Sequence, residues 1–141
     1  MQTFLPDPDF ARSAAVLDRQ RLGKQRVEAK QILLALENPA YGWQNHPAVR
    51  MWRGYDTALA TYGWFICSEW RRRGYQDTLM PFFADRMARA VADLPCWLGD
   101  SNFHLSHRSN LLRKLPSHYR QFWPDEPADL PYIWPATEIA V

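Results

Sequence analysis

The sequence predicts an all-α fold: a compact single-domain helical bundle over residues 1–141, with an extended C-terminal tail rich in proline and aromatic residues. Three observations carry this. Apolar residues recur at helical spacing in the long segments, as in Leu22, Ala29, Leu33 and Leu36. Proline, glycine and short polar residues punctuate those segments where helices start and stop. No alternating apolar–polar pattern survives beyond a few residues, so no strand is expected.

Each element follows from its local signals. Residues 7–17 read as a short helix, with Asp7 as its cap and Pro8 at its first position. Residues 19–37 form a basic helix, which Asn38-Pro39 ends. Gly23, inside it, costs about 1 kcal/mol relative to alanine and marks close approach of a helix or a ligand. A loop from Ala40 to His46 follows, and Pro47 opens a helical stretch to about Arg73. Arg71, Arg72 and Arg73 complement the carbonyl end of that stretch and Gly74 stops it. Residues 77–94 read as an amphipathic helix with Leu79, Phe83, Met87, Ala90 and Leu94 on one side and Pro81 in its first turn. Residues 95–100 are a turn-rich connector. Residues 102–115 are again helical, capped by Ser101 or Asp100, and Pro116 starts a short segment to Trp123. The tail carries Pro124, Pro127, Pro131 and Pro135 and packs through Tyr132, Ile133 and Trp134.

A hydrophobic fraction of 47% fits a globular chain rather than a disordered one. No apolar run is long enough to cross a membrane, and the first residues lack the pattern of a signal peptide. Cys67 and Cys96 form no metal or redox motif, so a cytoplasmic protein with reduced thiols is expected. Net charge is only +2, but it is unevenly spread. Residues 18–30 hold five basic and two acidic side chains, and residues 104–120 hold four basic residues, three histidines and no acid. Such patches on a nearly neutral chain point to a localised anion site. The alternative is that blocks of opposite sign pair with each other inside the fold.

The informative face lies on the 19–37 helix. Gln20, Arg21, Lys24, Glu28 and Gln31 fall opposite the apolar seam, so one carboxylate sits among cations one and two turns before it. An enzyme acting on a polyanion needs such an acid in a basic field. A solvated Lys24–Glu28 pair at four-residue spacing would give the same pattern. In the second basic block, His107, Arg108, Ser109, Asn110, Arg113 and Lys114 can all donate hydrogen bonds to phosphate. His104 and His107 could share a helix face with His118 or Asp100 as a third metal ligand, but the cationic surroundings disfavour a dication. No metal and no cofactor is expected. Cys67 lies mid-helix among aromatics and reads as core. Trp43, Trp52, Tyr119, Phe122, Trp123, Tyr132 and Trp134 sit beside basic residues or in loops, where aromatic platforms suit base stacking as well as packing.

These residues carry a resemblance. Gln20-x-Leu22 followed by Glu28 resembles the catalytic helix of the pyrimidine dimer DNA glycosylases, the phage-type endonuclease V family. Glu69 through Gly74-Tyr75 to Asp77-Thr78 is similar to the end of that family's long helix, and Ser106 to Trp123 to its C-terminal helix and aromatic-basic segment. The stretches Asn45 to Trp52 and Ser106 to Lys114 resemble a bacterial branch of the family.

The resemblance implies an all-helical, metal-free DNA repair glycosylase with AP-lyase activity. Its substrate would be duplex DNA carrying a pyrimidine dimer, kinked and with a base flipped out. The α-amine of Met1 would attack the sugar C1′ to give an imine, with Glu28 assisting proton transfer before β-elimination. An α-amine ordinarily titrates near pH 8, so a useful fraction of such groups is neutral near pH 7. DNA would be held by Gln20, Arg21, Lys24, Arg26, His46, Arg50, His107, Arg108, Asn110, Arg113 and Lys114, and the protein would act as a monomer. The sequence departs from the phage type at Val27 and Gln31, where those enzymes carry arginine, which leaves Arg21, Lys24 and Arg26 to take over the charge. The second residue is Gln2, whose bulk favours retention of Met1, and the segment before Gln20 is longer. Two other classes fit the same residues. One is a non-catalytic nucleic-acid-binding module. The other is a small-molecule enzyme with His46, Arg50 and His107 as its anion pocket.

Overall fold

A computed structural model describes residues 1–91 and 93–135. Among these there are seven helices and no strand: α1 (Phe10–Val16), α2 (Arg19–Glu37), α3 (Pro47–Arg50), α4 (Asp56–Arg72), α5 (Met80–Met87), α6 (Ser101–Lys114) and α7 (Pro116–Tyr119). Helix α4 is the hub and packs against α1, α2 and α5. Its buried face of Ala58, Leu59, Ala60, Tyr62, Gly63, Ile66 and Cys67 is small at its centre, which lets neighbours come close.

Two glycines mark those approaches. A Cβ on Gly23 of α2 would stand 3.1 Å from the Trp70 ring of α4, so the glycine within the basic helix serves helix packing. A Cβ on Gly63 would fall 2.3 Å from the Phe83 ring of α5, inside van der Waals contact.

Several boundaries differ from expectation, each for a local reason. Helix α1 is capped by Asp9, whose carboxylate accepts from the Arg12 N–H at 3.0 Å, while Asp7 instead accepts from the Asp9 N–H at 2.8 Å. The expected 47–73 helix is two helices. The chain turns at Gly54, which takes φ +88°, and this break lets Met51 and Trp52 enter the core. Helix α5 is shorter than 77–94: it ends at Met87, and Val91 and Leu94 are 93% and 64% exposed. The Asp77 side chain caps it, accepting from Leu79 N–H at 3.1 Å and Met80 N–H at 2.7 Å. Asp100 caps α6 through the Phe103 N–H at 3.0 Å.

After α7 the chain runs back along α6 without regular structure. Leu130 N–H donates to Ser109 Oγ at 2.9 Å and Ile133 N–H to Ser106 Oγ at 3.2 Å. Asn110 Nδ2 donates to Leu130 O at 3.1 Å. Small hydroxyls on α6 thus satisfy the backbone of an extended strap. Tyr132 and Trp134 pack against the core, whereas Ile133 is more exposed. The end of the expected tail, 136–141, lies outside the described residues.

Gly63→Ala should cost about 1–3 kcal/mol through overpacking against Phe83. Chemical denaturation of the variant should show a lower midpoint with an unchanged slope.

Candidate active site

The first six residues form an irregular strand that runs through the helices, with Gln2, Thr3, Phe4, Leu5 and Pro6 buried. Buried backbone without helix or sheet partners must find them elsewhere. Side chains supply them here. Gln2 N–H donates to Glu28 Oε2 at 2.8 Å, Thr3 N–H to Gln2 Oε1 at 2.9 Å and Phe4 N–H to Gln25 Oε1 at 2.9 Å. Gln25 Nε2 returns a bond to Gln2 O at 2.8 Å. The Tyr62 hydroxyl, 2.8 Å from Phe4 O and 2.6 Å from Gln25 Oε1, shares its proton between them. Trp52 Nε1 donates to Thr3 Oγ1 at 3.0 Å.

Two histidines of α6 hold Leu5 from both sides. Leu5 N–H donates to His107 Nδ1 at 3.0 Å, so His107 carries its proton on Nε2. His104 Nε2 accepts from Gly99 N–H at 2.9 Å, so its Nδ1–H donates to Leu5 O at 2.7 Å. Burial drives the pKa of His107 down to about 3, with His104 adding to the shift. Burial also lowers that of His104. Both are therefore neutral near pH 7. Their shared helix face binds the chain itself, and among the described residues no group of three His, Cys, Asp or Glu could hold a metal ion.

This clamp brings the amino terminus to α2. Beside it opens a cavity of about 280 Å³ lined by Phe4, Gln20, Arg21, Lys24, Gln25, Glu28 and Lys114. Glu28 is the one acid of this lining. Its expected pair with Lys24 is not formed, and among the described residues no ion pair reaches Glu28. Arg21 bonds Asp18 at 3.2 Å, where burial would raise the carboxyl pKa but the Tyr119 hydroxyl and Arg21 hold it low. Lys114 comes from the far end of α6, so one member of the second basic block does join the first.

The other candidates lie elsewhere. Arg26 turns to the opposite side of α2, where it pairs with Asp77 at 2.6 Å and covers the Trp70 ring at 5.2 Å. Arg108 pairs with Glu126 at 2.6 Å and donates to Pro6 O at 2.9 Å. Arg113 bonds Asn110 Oδ1 and the carbonyls of Ala128 and Leu130. His107 and Asn110 are 1% and 2% exposed, below any surface a phosphate reaches, and a neutral His107 adds no charge to an anion pocket with His46 and Arg50. Arg50 is half-buried on α3. His46 caps α3, its Nδ1 accepting from Ala48 N–H at 3.0 Å. Burial and the positive amino terminus lower its pKa, and Glu28 acts in the opposite direction. Val27 and Gln31 stand where the phage-type enzymes carry arginine, and Val27 is 47% exposed. Of the cations expected to compensate, Arg21 and Lys24 line the cavity and Arg26 does not.

Sequence reasoning misses Gln25, Tyr62 and His104 as clamp residues. Gln25 leaves one trace: it is a polar residue at a buried position of the apolar side of α2, between Leu22 and Ala29. Cys67 is buried and its thiol is pushed up to about 12, mainly by burial, as a core residue should be.

The fold is helical, and its amino-terminal segment is tied to the one acid of a basic cavity. The sequence model of the pyrimidine dimer DNA glycosylases matches residues 1–80, more than half of the chain, and the protein belongs to that family. Of the resembling stretches, Gln20 to Glu28 and Glu69 to Thr78 fall within the match, and Ser106 to Trp123 lies beyond it. No curated protein and no solved structure matches the chain.

A histidine whose folded pKa lies below its unfolded value binds fewer protons folded than unfolded between those two values. Stability should therefore be complete above about pH 6.5 and fall as pH drops toward 3, by up to about 1.4 kcal/mol per pH unit for His107 alone. Between pH 6.5 and 4.5 the histidines should dominate, ahead of the carboxylates. His107→Asn, whose side-chain oxygen can accept the Leu5 N–H, should flatten that part of the stability profile in urea titrations.

Proposed function

We propose that this protein is a DNA glycosylase with AP-lyase activity on duplex DNA carrying pyrimidine-dimer-like damage, using the Met1 α-amine as nucleophile and Glu28 as its proton-transfer partner. The observation that carries the reading is the bond from Gln2 N–H to Glu28 Oε2 at 2.8 Å. It ties the residue next to the amine to the single acid of a cavity lined by Arg21, Lys24 and Lys114.

The neutral amine attacks C1′ as the glycosidic C–N bond breaks, and the base departs with the bonding pair and takes up a proton. The C1′–O4′ bond then breaks, O4′ takes up a proton relayed by Glu28, the amine nitrogen gives up its remaining proton to the same relay, and the adduct is an imine. Loss of a C2′ proton then drives β-elimination, and the 3′ C–O bond breaks with phosphate as leaving group. The Glu28 carboxylate stabilises cationic character at C1′ and relays protons. Gln20, Arg21, Lys24 and Lys114 hold phosphates around the lesion. Flipping a base costs a few kcal/mol, less at a damaged step. The protein is expected to act as a monomer in the cytoplasm.

Borohydride should trap the untagged chain on abasic or dimer-containing DNA through its first residue. Extra residues ahead of Met1 should abolish the adduct, and Lys24→Ala should keep it. Peptide mapping of the adduct to Lys24 would overturn the α-amine assignment. Salt-dependent binding with no adduct from any form would leave the non-catalytic module instead. Glu28→Gln should retain DNA affinity and lose strand cleavage by at least about a hundredfold, the lower end of a positioned acid–base group. Cleavage at the wild-type rate would reduce Glu28 to a tether for Gln2.

Replacing Arg21, Lys24 and Lys114 together should flatten the dependence of log K on log salt by about 0.9 per lost phosphate contact. Replacing Arg108, already paired with Glu126, should change that slope little.

A further inference from the structure

The loop between α2 and α3 holds an exposed tryptophan in an unfavourable backbone conformation. Trp43 has φ +72°, the one positive φ of a non-glycine residue among those described, and it is 56% exposed. A bulky side chain in this region is a genuine outlier, and such strain persists only where the surroundings enforce it. They do so here. Gln44 Nε2 donates to Ala35 O at 2.7 Å, Tyr41 O at 2.9 Å and Asn38 O at 3.0 Å. Arg53 donates to Gln44 O at 3.3 Å, and His46 N–H donates to Trp43 O at 3.0 Å. The loop is tied to the end of α2 and the start of α3 while its largest ring is left in solvent.

A series of ring contacts leads from it to the amino-terminal segment. Trp43 meets His46 edge-on at 5.9 Å, and His46 meets Trp134 at 6.1 Å. Trp134 in turn meets Tyr132 at 5.6 Å, and Tyr132 meets His107, which holds Leu5, at 5.5 Å. Hydrophobic burial explains none of the exposed indole, and among the described residues no cation covers it. A flat, rigid aromatic face linked by ring contacts to the amino-terminal segment matches what an unstacked nucleobase needs.

We propose that Trp43 is the stacking platform for a nucleobase displaced from the duplex beside the Glu28 cavity. This rests on the DNA-repair reading of that cavity and adds a residue that makes base displacement favourable. The indole replaces the stacking lost when the base leaves the helix. The preset loop means that little ordering is needed on binding. Trp52 and Tyr119, also candidates for stacking by sequence, are fully buried and cannot serve.

The test uses a duplex with a tetrahydrofuran abasic analogue, which cannot form an imine, and 2-aminopurine opposite it. With the wild-type chain, 2-aminopurine emission should stay quenched on binding. Trp43→Ala should bind about 5- to 150-fold more weakly, the range for losing one stacked base, and the emission of its complex should rise. Trp43→Phe should retain part of both effects. Trp43→Gly accepts the positive φ, so its thermal midpoint should equal or exceed that of the wild type while binding weakens, which a merely structural tryptophan would not do. Unchanged affinity and emission in Trp43→Ala would overturn the proposal. Borohydride trapping on a natural abasic site reports separately on the amine. A Trp43-dependent quench without trapping supports the platform and sinks the imine reading, and trapping without any Trp43 effect does the reverse.

Discussion

The structure depends on satisfying the backbone of one buried, irregular strand. Residues 2–6 have neither helix nor sheet to pair with, yet they run through the centre of the helices. An unpaired buried amide or carbonyl costs about 1–3 kcal/mol. Five such residues would exhaust the stability of a small domain. Gln25, Glu28, Tyr62, His104, His107 and Arg108 answer them from α2, α4 and α6. This requirement fixes the three helices relative to each other. It also explains the buried polar positions Gln25 of α2 and His104 and His107 of α6, while Ser106, Ser109 and Asn110 of α6 serve the strap after α7.

Charge divides along the same lines. Arg26–Asp77, Arg73–Glu69, Arg86–Glu37 and Arg108–Glu126 join segments or stiffen helix ends. Arg26 does so through an acid that caps α5, so one ion pair ties α2 to α5. The acidic block of the tail meets a base at Glu126, as the pairing alternative for blocks of opposite sign anticipated. What remains around Glu28 is a cationic lining whose one acid is engaged by a backbone N–H rather than by a cation. An acid so placed stays available to a reacting group.

Much of the fold is legible in the sequence because helix signals are local. Asn38-Pro39, Gly74 and Asp100 mark ends, and the period of α2 identifies both its buried seam and the Glu28 face. The break at Met51 to Tyr55 is less legible, since Pro47 to Arg73 is helix-compatible residue by residue. Only the burial of Trp52 against Thr3, a contact across the chain, explains the turn at Gly54. The second basic block misleads for the same reason. Nothing local distinguishes Lys114, which reaches the cavity, from Arg108, which meets Glu126. The strand 2–6 is invisible to periodicity because its partners come from sites up to 102 residues away.

The strand also bears on how a flexible chain end could act as a nucleophile. A free terminus samples many positions, and holding it near a sugar would cost conformational entropy at each encounter. Here the restraint is part of folding. Gln2 is held through its N–H by Glu28 and through its carbonyl by Gln25, so only the bonds of Met1 remain to be ordered. Correct placement of reacting groups is worth several kcal/mol in favourable cases. The buried histidines extend this argument to the far end of the strand, because a charged imidazole at His104 or His107 would lose its role as the acceptor that holds Leu5 or Gly99. The same interactions that stabilise the fold therefore fix the position of the proposed nucleophile, and a change that loosens the strand should impair chemistry before it unfolds the protein.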